Sequence, residues 1–180
     1  MTQPVQLLSS AQMAEFAARG VLRMDGVVPD AINQQFLNDV GHVDESEIQN
    51  VAGHHQRIQK SSAIPVVKAG TPLADAYPDG SALTRLMALP QVAGAVASLV
   101  GADCVLDHHF LHVTFPLSFF SDSSRRHVSQ HTHQDSTIDP RQAFDMQMMY
   151  FPHEVTRDMG GTRYLPGSHL RVVSESAIAR

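Results

Sequence analysis

The chain has 180 residues, 43% of them hydrophobic and 17% charged, with a formal net charge of -5. That length and apolar content suit one domain with a real core. The mild, scattered charge carries no basic stripe for nucleic acid and no like-charge tail. A single cysteine, Cys104, excludes an intramolecular disulfide, so no oxidising compartment is needed. Met1-Thr2-Gln3-Pro4 lacks the basic n-region of a secretory signal. The weakly polar run from Val92 to Val100 is too short to span a bilayer. A cytoplasmic protein with no membrane or nucleic-acid partner is the expectation, and nothing in the sequence fixes the oligomeric state. Eleven histidines against three tyrosines and no tryptophan fit metal chemistry, although solvated histidines are the commoner explanation of such a count.

The first element is a helix with its own start and stop. Ser9 can cap it, Gln12 can return the bond, and Leu8 with Met13 can form a staple. Met13, Phe16 and Ala17 recur at helical spacing, and Gly20 sits where a left-handed residue ends a helix. Val21 to Met24 reads as a short strand stopped by the Asp25-Gly26 turn. A second helix follows Pro29, with Ile32, Phe36, Leu37 and Val40 on one stripe and Gly41 behind it. From His42 to Gly70 the chain is polar and poorly periodic, so His54 and His55 are expected as loop histidines. Adjacent side chains do not face one site in a regular element, and no carboxylate stands at ligand spacing to them. Asp44 to Glu47 reads as a solvated face, and Lys60 and Lys68 as surface lysines. The role of residues 41–80 stays open.

Ser81 to Met87 reads as a capped helix, and Pro90 opens another that runs to Gly101. Ala93, Gly94, Ala95 and Ala97 would let that helix pack closely on a sheet. Strand composition begins at Val105-Leu106 and continues from Phe110 to Phe115. There Leu111, Val113 and Phe115 share one face and Phe110, His112 and Thr114 the other. His112 reads as a pocket residue or, more commonly for such a position, a hydrogen-bonded core histidine. A loop through Ser121 to Arg126 delivers the chain to His131-Thr132-His133-Gln134-Asp135. In an extended strand alternate side chains share a face, so His133 and Asp135 can converge on one point. One imidazole and one carboxylate make two-thirds of a 2-His-1-carboxylate triad, which holds non-haem Fe(II) and leaves positions open. A polar strand end with solvated histidines is the plainer reading of a bare H-x-D. A three-ligand set of His131, His133 and Asp135 is a further alternative, but same-face positions would spread over about 13 Å. Met146 to Phe151 reads as a strand between two layers, and Pro166-Gly167 as a type II-compatible turn. Ser168 and His169 serve to stabilise that turn rather than to bind metal.

Taken together, H-Q-D at 133–135, the apolar segment Met146–Phe151 and Gly160-Gly161-Thr162-Arg163-Tyr164-Leu165-Pro166-Gly167-Ser168-His169 resemble the phytanoyl-CoA dioxygenase family. Leu8 to Val40 is similar to that family's opening. The resemblance implies Fe(II) as metal, held by His133 and Asp135, with 2-oxoglutarate as co-substrate, O2 as oxidant and an unidentified small-molecule substrate. It also implies Thr114 and Phe151 as residues bordering 2-oxoglutarate. The implied fold is mainly β with flanking helices: a double-stranded β-helix (jelly roll) in a single domain over 1–180. Residues 1–104 would be its helical N-terminal region and 105–180 the first part of its core. In that family a second histidine ligand and an arginine for the 2-oxoglutarate carboxylate lie well past the P-G-S-H turn. This sequence ends at Arg180, eleven residues past His169. It is therefore expected to be a jelly roll lacking its C-terminal strands, cut before the site is complete, with weak Fe(II) binding and little or no turnover. The alternative is a non-catalytic fragment or binding module.

Overall fold

The structure is a computed structural model, and it describes residues 4–115, 145–159 and 161–170. Helix α1 (Ser10–Arg19) begins at Ser9, whose hydroxyl accepts the Gln12 N–H while the Gln12 side chain accepts the Ser9 N–H. The reciprocal pair satisfies two donors that the first turn leaves open. Gly20, at φ 73°, closes the helix in the left-handed region.

Helix α2 (Asp30–Asp39) turns one face inward through Ile32 and Phe36, and Val40 just beyond its end continues that stripe. Four-residue spacing stacks these side chains on one side. They meet Ile58 of α3 (Val51–Gln59), Ala82 and Leu86 of α4 (Ala82–Met87), and Val92 of α5 (Pro90–Leu99). The core is thus a helical one. Arg85 of α4 donates to the Gln35 side-chain oxygen at 2.6 Å, and Gln35 donates onward to Gly80 O, which ties α2 to α4.

Strand content among the described residues is a two-stranded antiparallel pair. In it β1 (Thr71–Pro72) lies beside β2 (Val105–Leu106), with Thr71 opposite Leu106 and Pro72 opposite Val105. Pro72 cannot donate to a ladder, which limits β1 to a short edge piece.

Several expectations are corrected here. The described residues are mostly helical rather than mainly β. Val21–Met24 is not a strand: no ladder partner lies beside it among the described residues, and Arg23 pairs instead with Asp25 at 2.6 Å. His54 and His55 are helical, within α3. Phe110–Phe115 keeps part of the expected alternation, with Leu111, Val113 and Phe115 half-buried and His112 and Thr114 exposed, yet it joins no ladder among the described residues. The carbonyl of Leu111 is taken by the Gln59 side chain at 2.6 Å. Met146–Phe151 likewise joins no described ladder, and Met148, Met149 and Phe151 are exposed. His112 is exposed rather than a core histidine, its ring edge-on to Phe110 at 4.6 Å. Gly94 does let a backbone come close, but the neighbour is the N-terminal segment and not a sheet. A methyl there would overlap Gln6 O, while Gln6 N–H donates to Pro90 O and Leu8 N–H to the Ser98 hydroxyl.

Candidate metal centre

His131, His133 and Asp135 lie outside the described residues, as does the loop before them. The structure describes the segments on either side, and both are fastened to the helices. On the approaching side, Leu111 and Val113 pack against the helical core. Phe115 places its ring 6.1 Å from His54, edge-on, and 6.4 Å from His55. On the departing side, Tyr150 packs edge-on to Phe36 at 5.3 Å, and its hydroxyl donates to the Asn33 side-chain oxygen at 2.6 Å. Burial raises the Tyr150 phenol to about 12, because the charged phenolate would lose its hydration. His153 stacks on His42 at 6.2 Å. Helices α2 and α3 therefore hold the chain before and after the H-x-D motif.

Of the residues expected around 2-oxoglutarate, Thr114 is exposed and its hydroxyl donates to Met159 O at 3.4 Å, a long bond. Phe151 is half exposed. No described contact brings the two together. Among the described residues no group of three His, Cys, Asp or Glu side chains is placed to hold one metal ion. An imidazole and a carboxylate remain the right donor chemistry for Fe(II), and His133 with Asp135 supply both. His169 is engaged elsewhere, its Nε2 donating to Ala17 O at 3.0 Å.

One polar residue was hidden from sequence reasoning. His54 is 5% exposed, and Arg57 donates to its Nδ1 at 2.6 Å. That contact puts the ring proton on Nε2 and holds the imidazole neutral. Its pKa is lowered from 6.5, first by burial and then by the charges of Arg57 and His42. The unfolded chain then binds the proton more readily than the folded one. Stability from this residue is complete above about 6.5 and is lost as pH falls through that value towards the lowered folded one. Urea unfolding of the wild type and His54→Gln between pH 7.5 and 5 should show a steeper acid loss in the wild type. Identical slopes would contradict the buried neutral imidazole.

Among the described residues, surface cavities lie near these elements. One, about 390 Å³, is lined by Glu47, Asn50, Gly53, His54 and Arg57 among others. The other, about 360 Å³, is lined by Lys68, Thr71, Asp75 and Tyr77 with apolar neighbours. Beside the second, His109 Nε2 donates to Pro65 O at 2.6 Å and its Nδ1 accepts from the Tyr77 hydroxyl at 3.2 Å. Neither cavity is lined by Thr114 or Phe151.

No helix among the described residues is long and apolar enough to cross a membrane. No curated protein and no solved structure matches the chain. The family model described as phytanoyl-CoA dioxygenase matches residues 16–178, a span that takes in most of α1's second half, the H-x-D motif and the P-G-S-H turn. That family implies a jelly-roll fold and, in general, oxygenase chemistry dependent on Fe(II) and 2-oxoglutarate, with O2 and a small molecule as the other reactants. With nearly its whole length matched, the chain belongs to the phytanoyl-CoA dioxygenase family.

Proposed function

We propose that the chain is a hydroxylase-type oxygenase dependent on Fe(II) and 2-oxoglutarate, with His133 and Asp135 as metal ligands. The reading is carried by one observation: the family match spans 16–178, and within it H-Q-D at 133–135, ahead of the P-G-S-H turn, offers an imidazole and a carboxylate at ligand spacing. Residues 1–104 form the helical part of a single domain, and residues 105–180 contribute to its jelly-roll core.

When bound, Fe(II) supplies the oxidative chemistry: 2-oxoglutarate and O2 become succinate and CO2, and one oxygen atom enters a substrate C–H bond as hydroxyl. The chain's own residues bind and orient. His133 offers a neutral nitrogen donor, and Asp135 offers an anionic oxygen that offsets part of the dication's charge. Thr114 borders the co-substrate as a hydrogen-bond donor to its carboxylate, giving up its long bond to Met159 O. Phe151, half exposed, gives the same pocket an apolar wall that excludes water. Tyr150, anchored on Asn33 and Phe36, holds the backbone from which Phe151 projects. The substrate is a small molecule, and it need not be an acyl-CoA.

The test is anaerobic calorimetry of 2-oxoglutarate binding to the full chain, with and without Fe(II). A shared site requires that each ligand strengthen the other by the same factor. Tighter 2-oxoglutarate binding in the presence of Fe(II) is the expected result. Equal affinity with and without the metal would overturn the reading.

A further inference from the structure

The last turn of α1 is completed by residues from the opposite end of the chain. A helix leaves its final carbonyls without intrahelical partners. At α1 one of them, Phe16 O, takes the Gly20 N–H. Two more are answered by the P-G-S-H turn. Gly167 N–H donates to Arg19 O at 3.0 Å, and His169 Nε2 donates to Ala17 O at 3.0 Å across 152 residues. The turn is itself ordered for this contact. Gly167 sits at φ 77°, and Ser168 N–H donates back to Leu165 O at 3.2 Å. The left-handed glycine is what allows the chain to reverse there.

The imidazole also fits the helix end closely. A methyl group at Gly20 would overlap the His169 ring, so glycine is required there twice: for its φ of 73° and for the space. Because Nε2 donates to a carbonyl, it carries the proton. Nδ1 is buried against Gly20 with no hydrogen-bond partner among the described residues. Both ring nitrogens thus face α1, Nε2 bonded to Ala17 O and Nδ1 buried against Gly20.

We propose that His169 is a structural clasp: its imidazole holds the P-G-S-H turn on the C-terminus of α1 and so ties the N-terminal helix to residues 165–169. The role goes beyond metal chemistry and is independent of the oxygenase reading. Joining segments this far apart costs loop-closure entropy, which two hydrogen bonds to otherwise open carbonyls and the covered ring help to offset.

The experiment is amide hydrogen exchange on the full chain, read at Gly167 and compared with the Val51–Gln59 helix. The variants are His169→Ala, His169→Gln, Gly20→Ala and Gly26→Ala. A net contribution of one hydrogen bond corresponds to exchange faster by about five- to tenfold, so His169→Ala should speed Gly167 exchange by about that factor and leave α3 unchanged. His169→Gln should restore protection, because its side-chain amide carries an N–H to about the same reach as Nε2. Gly26, at φ 67° and with nothing within 4 Å of where an added methyl would stand, controls for backbone strain alone. Gly20→Ala should therefore release the Gly167 amide, and Gly26→Ala should not. Unchanged Gly167 protection in a folded His169→Ala chain would overturn the proposal. So would equal effects of the two glycine substitutions. Should His169→Ala fail to fold, His169→Gln decides: a protected Gly167 amide supports the clasp, and an exposed amide or an unfolded chain rejects it.

Discussion

Phe36→Ala is expected to lower the unfolding free energy by about 3–5 kcal/mol, the usual cost of emptying a buried aromatic site. Phe36 is 4% exposed and stands between Ile32 and Val40 on the inward stripe of α2, in one cluster with Ile58, Leu86 and Val92. Its ring also supports Tyr150 edge-on, so the substitution removes a contact between the helices and the segment after the H-x-D motif. Domains of this kind carry only about 5–15 kcal/mol of net stability, so such a loss removes a large share of it. Urea unfolding followed by circular dichroism measures it. Met13→Ala serves as the comparison, because Met13 is exposed on α1 and should cost well under half as much. A Phe36→Ala loss no larger than that of Met13→Ala would mean that the helical core is not what holds this chain together.

The second large effect is expected at Asp135. Residues that merely support metal ligands typically cost 10–100-fold in affinity or activity when replaced, about the least that loss of a ligand itself should cost. Asp135→Ala removes the only anionic donor of the H-x-D pair. Whatever succinate the chain releases from 2-oxoglutarate should fall by at least about ten- to a hundredfold on that basis. Asp145→Ala, outside the motif and at an exposed position, should leave it unchanged. Matching far-ultraviolet spectra would show that the loss is chemical and not a failure to fold. Succinate release persisting in Asp135→Ala would exclude this carboxylate from the metal.

How much of this could be read in the sequence differs from element to element. Helix α1 was legible to the residue, because Ser9, Gln12 and Gly20 each act through a local bond that the sequence alone specifies. Helix α2 was legible through its period instead: Ile32, Phe36 and Val40 repeat at helical spacing. Helix α3 was not. Its inward positions are Val51, half-buried, with His54 and Ile58 buried, so the middle of the stripe is a histidine and the period is broken to the eye. Gly53 in the first turn further disguises it. What could have exposed it is the pairing of His54 with Arg57 one turn later, a spacing that makes sense only on a helix.

The strands failed differently. Phe110–Phe115 has the right alternation, and most of it survives in the burial, but a strand also needs a neighbour for its backbone groups. Here a side chain, Gln59, takes that place at Leu111. The H-T-H-Q-D strand, and the loop through Ser121 to Arg126 that leads to it, fall outside the described residues. The P-G-S-H turn was legible as a turn, through Gly167, but its partner was not: nothing local in either Gly20 or His169 announces a contact between opposite ends of the chain.

Whether His133 and Asp135 hold Fe(II) is read most directly by anaerobic Fe(II) titration of the wild type beside His131→Ala, His133→Ala and Asp135→Ala. His133→Ala and Asp135→Ala should each lose the wild-type binding, and His131→Ala should keep it. Binding that survives both substitutions, or that is lost equally in all three, would contradict it.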